Sequence, residues 1–310
     1  MRRFAPLLTL LACVVLAGGA RAQRDLSAVV IQPEKLADGL WMLTGAGGNL
    51  LACAGLDGTL LVDAEYGPLV PRIRATADSL AHGAALRFVV NTHYHGDHVG
   101  GDSAMAAGGA EIVAHANVRM RMSADRYNET FGTTTRAYPA AALPVLTFDD
   151  SVTFHLNRHA LHVVHVPPAH TDGDAFVWIP DADVLHLGDL FFNGAYPVID
   201  VSAGGSIGGM IRAIELVLPR VGPDTKIIPG HGPLGDRAAL LRYRDMLVAV
   251  RDRVTKLVVR DGMTLEQLKA AKPLAEFDET WGKGFMKPDT FLSVVYSDLV
   301  RERRAARQPK

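Results

Sequence analysis

The chain carries the octapeptide Asn91-Thr92-His93-Tyr94-His95-Gly96-Asp97-His98 directly after the apolar run Leu86–Val90. The β-branched and aromatic side chains of that run predict a buried strand, and Gly96 permits a sharp turn after it. Three histidines and one aspartate within six residues are typical of a site for a divalent metal such as zinc, whose ligands are neutral imidazoles and carboxylates. A polar surface turn that is rich in histidine is the alternative interpretation of this motif alone.

The size and composition indicate a globular protein. The 310 residues are 48% hydrophobic and 21% charged, which is typical of a protein with a sizeable core. The formal net charge of −1 gives no indication of a nucleic-acid partner. Because no linker divides the chain, we expect a single domain over residues 23–310 that ends in a helical extension from about residue 236.

The amino terminus is typical of a secretory signal peptide over residues 1–22. A basic start at Met1-Arg2-Arg3 precedes the short apolar stretch Phe4–Ala17 and the small-residue cleavage site Ala20-Arg21-Ala22. The apolar stretch is too short to form a stable membrane anchor. We therefore expect a mature chain that begins at Gln23 and is periplasmic or secreted, without a membrane anchor.

The two cysteines allow no disulfide within the mature chain. Cys13 lies in the signal segment, where Leu10–Cys13 loosely resembles a lipoprotein cleavage box, although Ala20-Arg21-Ala22 is the better cleavage site. Cys53 remains unpaired after cleavage. Its place in the apolar run Leu50–Ala54 predicts that it is buried.

Short apolar runs between glycine and proline turn signals predict a succession of strands. These are Leu26–Ile31, Leu40–Thr44, Asn49–Ala54, Thr59–Asp63, Leu86–Val90, Glu111–Ala114, Val145–Phe148, Val152–Leu156, Ala160–Val166, Ala175–Ile179, Val184–Leu187 and Lys226–Ile228. Helices are predicted over about residues 68–80, 97–107, 210–218 and 236–260, and again from about residues 117, 264 and 288.

Caps and one long loop complete the predicted organisation. Asp97 and Asp236 are expected to cap the helices that they begin, and Thr264 with Gln267 predicts a capping box. Residues 123–143 show no period and are expected to form a mobile lid or binding loop.

A strand followed by a turn with metal-ligand side chains occurs four times. After the His93–His98 turn, His170, Asp189 and His231 each lie in a turn with glycine or proline beside an apolar run. In α/β sheets, turns at the carboxyl ends of strands can meet at one edge. Five histidines and two aspartates are enough to hold two metals that share a bridging carboxylate.

In their order along the chain, these residues resemble the motifs of the metallo-β-lactamase superfamily. The match consists of Asp63, His93-x-His95-x-Asp97-His98, His170, Asp189 and His231, within roughly residues 26–235. The resemblance implies an α/β fold, namely a four-layer αβ/βα sandwich, with two zinc ions (Zn2+) at one edge between its sheets. It implies that His93, His95 and His170 bind one ion, that Asp97, His98 and His231 bind the other, and that Asp189 bridges them. It also implies that Asp63 orients the metal loop from behind the ligands.

Several positions distinguish this chain from relatives within that superfamily. Class B β-lactamases carry Cys or Ser in place of Asp189, and many carry Lys in place of Phe192, so the ligand set is similar to that of glyoxalase II. Flavodiiron oxygen reductases carry Glu in place of His95, which disfavours a redox di-iron site. The C-terminal helices could correspond to the glutathione-binding helices of glyoxalase II, but no Lys/Arg pattern in this sequence supports that correspondence.

The ligand set implies a hydrolytic mechanism. Two cations would lower the pKa of a bound water to give hydroxide near neutral pH, and they would polarise the substrate carbonyl. Asp97 is predicted to be the catalytic residue that orients this nucleophile and passes its proton to the leaving group. Together with the predicted export, this favours a small-molecule substrate with a cyclic amide or ester bond, β-lactams included. The alternatives are a thioester or lactone hydrolase of the glyoxalase II type, a mononuclear iron persulfide dioxygenase and a non-catalytic binding module.

The other polar residues are assigned structural or specificity roles. The remaining histidines are expected on the surface or hydrogen-bonded in the core: His82, His115, His155, His159, His162, His165 and His186. Strand alternation places His186 on the face opposite Asp189. Asn193 is a candidate holder of a substrate carboxylate. Four loops are expected to set substrate specificity: Gly45–Asn49, Ser123–Leu143, Phe192–Tyr196 and Ser202–Gly209.

Overall fold

The computed structural model describes residues 25–305. The predicted signal peptide, with Cys13 inside it, and residues 306–310 lie outside this range. The strands are β1 (Gln32–Ala37), β2 (Leu40–Thr44), β3 (Leu50–Gly55), β4 (Gly58–Val62), β5 (Leu86–Asn91), β6 (Glu111–His115), β7 (Arg126–Asn128), β8 (Thr133–Thr135), β9 (Leu146–Phe148), β10 (Ser151–Leu156), β11 (His159–His165), β12 (Ala175–Ile179), β13 (Val184–His186) and β14 (Lys226–Ile228). The α-helices are α1 (Val70–Leu80), α2 (Gly96–Val99), α3 (Asp102–Ala107), α4 (Ala116–Met122), α5 (Ile207–Val217), α6 (Arg237–Thr255), α7 (Leu265–Ala271), α8 (Ala275–Trp281) and α9 (Pro288–Ala305).

The strands form two large sheets and one small hairpin. In the first sheet the order is β1-β2-β3-β4-β5-β6-β9, antiparallel as far as β4 and parallel from there on. In the second sheet the order is β10-β11-β12-β13-β14, antiparallel except for the β13–β14 pair. Parallel neighbours need a crossover connection, and helices α1 to α5 lie in those connections.

Apolar clusters between the layers give the order helix, sheet, sheet and helix. Between the sheets, Leu60 and Val90 of the first sheet pack in one cluster with Val163 and Val177 of the second. Helices α1 and α3 pack on the outer face of the first sheet. Helices α5, α6 and α9 pack on the outer face of the second. The four-layer α/β sandwich predicted from the sequence is confirmed.

The amino-terminal strand lies later in the chain than predicted. Leu26–Ile31 forms no strand, and β1 instead begins at Gln32 and pairs with β2 at the edge of the first sheet. Its side chains are largely exposed, and Pro33 is tolerated because an edge strand is paired on one side only. The apolar Leu26 and Val29 pack against the outer core without strand geometry.

The helix predicted over about residues 97–107 is two short helices, α2 and α3. His95 occupies the N-cap position of α2, and Asp97 lies inside its first turn, so the predicted Asp97 cap is wrong. The break between the helices lies at a close backbone approach, since a Cβ at Gly101 would lie 2.3 Å from Ala64 O. Since Asp97 is not the N-cap, its carboxylate is not used to cap α2.

Residues 123–143, predicted to form an irregular loop, contain a β-hairpin. Strands β7 and β8 pair antiparallel, and a short 3-10 helix follows at Ala140–Ala142. Each strand of the hairpin has three residues, too few to show a period in the sequence.

The caps predicted for the C-terminal helices are confirmed. Asp236 accepts a hydrogen bond from Ala239 N, and Thr264 forms a capping box with Gln267. Helix α6 passes directly into a π-helical turn at Lys256–Arg260, which accounts for the predicted helical length.

Cys53 is buried and unpaired, as predicted. Burial raises the pKa of its thiol to about 11, so the thiol stays protonated at neutral pH. Within residues 25–305, no helix has both the length and the apolarity needed to cross a membrane.

A buried carboxylate joins the last helix to the second half of the fold. Asp298 of α9 accepts from Ile207 N at 2.8 Å and from Arg301 Nη2 at 3.0 Å. Burial is the main cause that raises the pKa of Asp298 to about 6. Because Ser206 N, next to Ile207, donates to Ala169 O, this contact also supports the turn that carries His170.

We expect Asp298→Ala to lower the free energy of unfolding by about 1–3 kcal/mol, because Ile207 N would lose its buried acceptor. Asp298→Asn keeps an acceptor and should cost less. Since the folded-state pKa lies above the ordinary value of 3.8, the native carboxylate contributes less stability as the pH rises from about 4 to about 6. The deficit of Asp298→Asn should therefore shrink over that range, which urea unfolding at several pH values would measure.

The matched control is Ser297→Ala, an exposed neighbour on the same helix that should stay within about 0.5 kcal/mol of the parent protein. A deficit of Asp298→Asn that grows with pH would contradict this account.

Candidate metal centre

The four turns that carry the predicted ligands meet at one edge of the sandwich. The ligand atoms form two sets, and within each set the atoms, one from each residue, lie within 4.8 Å of one another. One set comes from His93, His95, His170 and Asp189, and the other comes from Asp97, His98 and His231. All seven predicted residues thus fall into the two groups that the sequence motifs suggested. We call them the first group and the second group.

Asp189 lies between the two groups. Its Oδ2 is 3.4 Å from His170 Nε2 and 3.7 Å from His93 Nε2, both of the first group. Its Oδ1 is 3.2 Å from His98 Nε2 and 3.3 Å from His231 Nε2, both of the second group. One carboxylate oxygen therefore faces each group, which is the arrangement of a bridging ligand.

Asp63 orients the metal loop in the way that was predicted. The Asp63 carboxylate accepts from Thr92 N, from Thr92 Oγ1 and from His98 Nδ1, each at 2.8 Å. Since Thr92 Oγ1 donates its hydrogen to Asp63, it accepts from His93 Nδ1 at 3.0 Å. Both histidines consequently carry their proton on Nδ1 and turn Nε2 toward the centre.

His95 is held by a carboxylate that the sequence did not reveal. His95 Nε2 donates to Asp200 Oδ2 at 3.1 Å, and Tyr94 Oη donates to the same oxygen at 2.6 Å. Asp200 also caps a 3-10 turn by accepting from Ala203 N. Asp200 lies outside every ligand motif and belongs to no helical or strand pattern in the sequence, so only the folded structure identifies its role.

Lone pairs that face one another show that the centre fits metal ions. His170 Nδ1 donates to Val198 O at 2.7 Å, so His170 Nε2 and His95 Nδ1, 2.9 Å apart, both direct lone pairs inward. His93 Nε2 and Asp189 Oδ1 are buried without a hydrogen-bond partner. Buried acceptors placed this closely need a cation or a proton between them, and imidazole with carboxylate suits zinc.

The electrostatics of the centre favour the ionised Asp189 and the neutral His93 and His170 that metal binding requires, whereas they favour a protonated His98 that a metal would have to displace. Burial opposes ionisation of Asp189, but the surrounding histidines outweigh it and hold the pKa of Asp189 well below its ordinary value. Burial lowers the pKa of His170 to about 4, and burial, followed by His98, lowers that of His93. Burial also disfavours charge on His98, yet Asp189 and Asp63 outweigh it and raise the pKa of His98.

Backbone contacts hold the outer turns against the centre. The Glu65 carboxylate accepts from Ala46 N at 2.9 Å and Gly47 N at 2.6 Å, which fixes the first predicted specificity loop. A Cβ at Gly48 would lie 2.2 Å from the His98 ring, so this position requires glycine. Asn49 Nδ2 donates to Pro229 O at 2.9 Å and thereby ties this loop to the His231 turn.

Residues near the centre with other predicted roles have defined contacts. The histidines predicted to be structural lie outside both groups. Strand β13 ends at His186, so Asp189 lies on a 3-10 turn and the predicted strand alternation between them does not apply; His186 Nε2 contacts Asn49 O at 3.0 Å instead. Asn193 Nδ2 donates to Pro233 O at 2.9 Å, so the predicted use of this amide for a substrate carboxylate is not supported.

A cavity of about 430 Å³ opens beside the centre. Three of the four predicted specificity loops line it, through Ala46, Phe131 and Phe192 among others. The fourth, Ser202–Gly209, does not, because its glycines pack under the His170 turn, where a Cβ at Gly205 would lie 2.3 Å from His170 O. The sequence did not predict the contribution of Gly284, Phe285 and Met286 to the cavity wall.

We expect Asp200→Asn to weaken metal binding at the first group by about 10–100-fold, because His95 would lose the carboxylate that fixes its tautomer. Titration of the apoprotein with zinc against a chelator of known affinity measures this. The matched control is Asp181→Asn, which removes a similar contact to His159 Nδ1 (2.5 Å) far from both groups. Equal zinc affinity in Asp200→Asn and the parent would contradict the assigned role.

Comparisons with known proteins agree with this geometry. Residues 50–254 match the family model of the metallo-beta-lactamase superfamily. The chain is 24% identical over 159 residues to a metallo-beta-lactamase type 2 of Bacillus cereus, which covers 51% of this chain and 57% of the relative. It is 30% identical over 185 residues to a hydroxyacylglutathione hydrolase of Methylococcus capsulatus, which covers 59% of this chain and 60% of the relative.

A solved structure shares the fold. The metallo-beta-lactamase from Pontibacter korlensis superposes with a TM-score of 0.58 at 20% identity, covering 70% of this chain and 99% of that one. The chain matches only about three fifths of the length of the two curated relatives. Because the family model covers more than half of the chain, the chain belongs to the metallo-beta-lactamase superfamily.

Proposed function

We propose that this protein is a hydrolase that binds two zinc ions and opens cyclic amide or ester bonds, β-lactams included. The position of Asp189 carries the proposal, because its two oxygens face the first and second groups at 3.2–3.7 Å. A single carboxylate placed in this way is suited to two cations rather than one. The membership in the superfamily supports the same chemistry.

The residues of the two groups would hold the metals, and Asp97 would handle the proton. Zinc ions, when bound, supply a water of lowered pKa and a Lewis acid for the substrate carbonyl. The Asp97 side chain is 27% exposed, and its Oδ2 lies 3.4 Å from His231 Nε2. It therefore reaches both the second group and the cavity, which lets it orient a water and pass a proton to a leaving group.

Strained cyclic substrates fit what the site offers. Attack on a four-membered lactam relieves ring strain, so a site with no nucleophilic side chain can still open it. Phe192, where many β-lactamases carry a lysine, stacks on His231 with ring centroids 5.2 Å apart. A substrate carboxylate would have no cation from this position, so we expect weak binding of β-lactams. The predicted export would bring the enzyme into contact with such compounds.

A thioester hydrolase of the glyoxalase II type is the second candidate. The 30% identity to a hydroxyacylglutathione hydrolase favours it, and so does the aspartate at position 189. The lining of the cavity disfavours it more than it disfavours β-lactams, because none of the described residues that line it is Lys or Arg and glutathione brings two carboxylates where the β-lactam core brings one. The mononuclear iron persulfide dioxygenase shares the motif set, so metal content separates it from a hydrolase: one iron per chain rather than two zinc ions.

We expect the zinc-loaded protein to hydrolyse at least one of three reporters, a penicillin, a cephalosporin or a carbapenem, with weak binding. On that reporter, Asp97→Asn should lower kcat by about 10²–10⁴-fold, because an amide cannot accept the proton. Steady-state kinetics with the parent and the variant would measure this. Unfolding curves and metal analysis would check that the variant remains folded and loaded.

The control is Asp172→Asn, which alters a nearby carboxylate that pairs with Arg121 and lies outside both groups. If all three reporters stay intact while a glutathione thioester turns over, the second candidate function is correct. Near-normal turnover in Asp97→Asn with full metal content would remove Asp97 from the mechanism.

Metal analysis of the purified protein should give two zinc ions per chain. Asp189→Ala should weaken both sites, because its two oxygens face both groups, whereas His231→Ala should weaken the second site more than the first. Equilibrium dialysis followed by elemental analysis distinguishes the two variants. The control is His162→Ala, a strand residue outside both groups. One iron and no zinc in the native protein would refute the dinuclear proposal.

A further inference from the structure

One wall of the cavity is apolar and comes from two separate parts of the chain. The β7–β8 hairpin contributes Phe131, and the segment between α8 and α9 contributes Phe285 and Met286. We propose that this wall binds an uncharged, apolar arm of the substrate next to the scissile carbonyl. This inference rests on the proposed hydrolase function and narrows its substrate class.

The two phenylalanines contact each other across the cavity mouth. The ring centroids of Phe131 and Phe285 are 5.5 Å apart, and Phe285 remains 75% exposed. A large aromatic side chain this exposed leaves apolar surface in water, although Met286 beside it is buried. An apolar ligand arm that reaches the cavity would cover this surface, and burial of apolar area is favourable in proportion to the area covered.

The C-terminal part of the wall is fixed to the site. Tyr196 N donates to Trp281 O at 2.8 Å, and Tyr196 Oη donates to Asp278 Oδ1 at 2.9 Å. A Cβ at Gly284 would lie 2.7 Å from Ala195 Cβ, so the segment packs directly on the loop that follows Phe192. The aromatic wall is therefore built into the folded site before a ligand arrives.

Away from the metal groups, the cavity offers no partner for an anionic arm. None of the described residues that line the cavity is a Lys or an Arg. Lys283 lies on the same segment as Phe285 but is exposed and does not line the cavity. Arg126 lines a smaller adjoining cavity, where its Nη2 donates to Met120 O at 3.1 Å and its Nε to Arg121 O at 3.3 Å.

One part of the wall lies outside the family match, whereas Phe131 lies inside it. Phe285 and Met286 lie beyond residues 50–254, the part of the chain that matches the family model. The metal groups alone would accept many carbonyl compounds, whereas this wall selects among them by the polarity of the group beside the carbonyl. An ester, lactone or lactam with an aliphatic or aromatic arm is the substrate class that we expect.

Hydroxamic acids test the inference without requiring turnover, because the hydroxamate binds zinc and the attached chain can be varied. Calorimetry with the zinc-loaded protein would compare acetohydroxamic acid, octanohydroxamic acid and suberic acid monohydroxamate, which has the octanoyl chain length but ends in a carboxylate. Octanohydroxamic acid should bind at least about tenfold more tightly than acetohydroxamic acid, since several methylenes become buried. The suberic compound should lose most of that gain.

Phe131→Ala and Phe285→Ala should each lower the affinity for octanohydroxamic acid by about 3–10-fold and leave that for acetohydroxamic acid unchanged. The matched controls are Tyr127→Ala, on the same hairpin, and Lys283→Ala, on the same segment, since neither residue lines the cavity. Both variants should keep the parent protein's ratio of octanohydroxamic acid affinity to acetohydroxamic acid affinity.

Equal binding of the two simple hydroxamates, no detectable binding of the octanoyl compound, or tighter binding of the suberic compound would overturn the inference. A different result would refute the proposed function: no hydrolysis of any lactam, lactone or ester by the zinc-loaded protein, or full turnover by Asp189→Ala. Hydroxamate binding therefore tests the apolar wall, and reporter hydrolysis tests the proposed function.

Discussion

The site depends on one electrostatic constraint, namely that buried lone pairs of histidine and aspartate converge on two points. His170 Nε2 and His95 Nδ1 lie 2.9 Å apart, and the hydrogen of each ring is committed to an acceptor on its far side. Without positive charge between them these atoms repel. The chain can therefore place them together only because the surrounding fold is rigid enough to oppose the repulsion, or because a cation removes it.

Buried carboxylates behind the ligands supply that rigidity. Asp63 fixes His98, Asp200 fixes His95, and each carboxylate also accepts hydrogen bonds from backbone or hydroxyl donors. Asp174 holds the turn around His170 by accepting from His170 N at 2.7 Å, and burial raises the pKa of Asp174 to about 7. The turns that carry His93–His98 and His170 are thus stabilised by hydrogen bonds to carboxylates that do not involve the metal, which keeps the ring orientations defined.

The sequence predicted the parts of the structure that local patterns encode. The ligand turns were predictable because each follows an apolar strand and carries a metal-ligand side chain beside glycine or proline, and the resemblance of the ordered motifs to the superfamily then indicated the four-layer sandwich. The caps at Asp236 and Thr264 were predictable because capping depends on neighbours only three residues away. Asp200 and Phe285 were not, because their roles arise from contacts with residues about 105 and 154 positions away, His95 and Phe131.

The errors have the same origin. Asp97 resembles an N-cap in sequence, yet His95 occupies that position and Asp97 lies inside the first turn of the helix, in the second metal group. Strand β1 was misplaced because an edge strand can be polar and can contain a proline, so it lacks the apolar alternation on which the prediction relied. Local rules fail where a long-range contact decides the conformation, and in this chain such contacts are concentrated around the site.

Two parts of the chain therefore have different relations to function. The metal groups lie inside the residues that match the superfamily model, and in the proposed function they supply the hydrolytic chemistry. The apolar wall is assembled by a short hairpin and a segment beyond residue 254, and we propose that it selects among the carbonyl compounds that reach the metal groups. Relatives that share the first part and differ in the second would share a mechanism and differ in substrate. The names of such relatives therefore inform the reaction of this protein more than they inform its substrate.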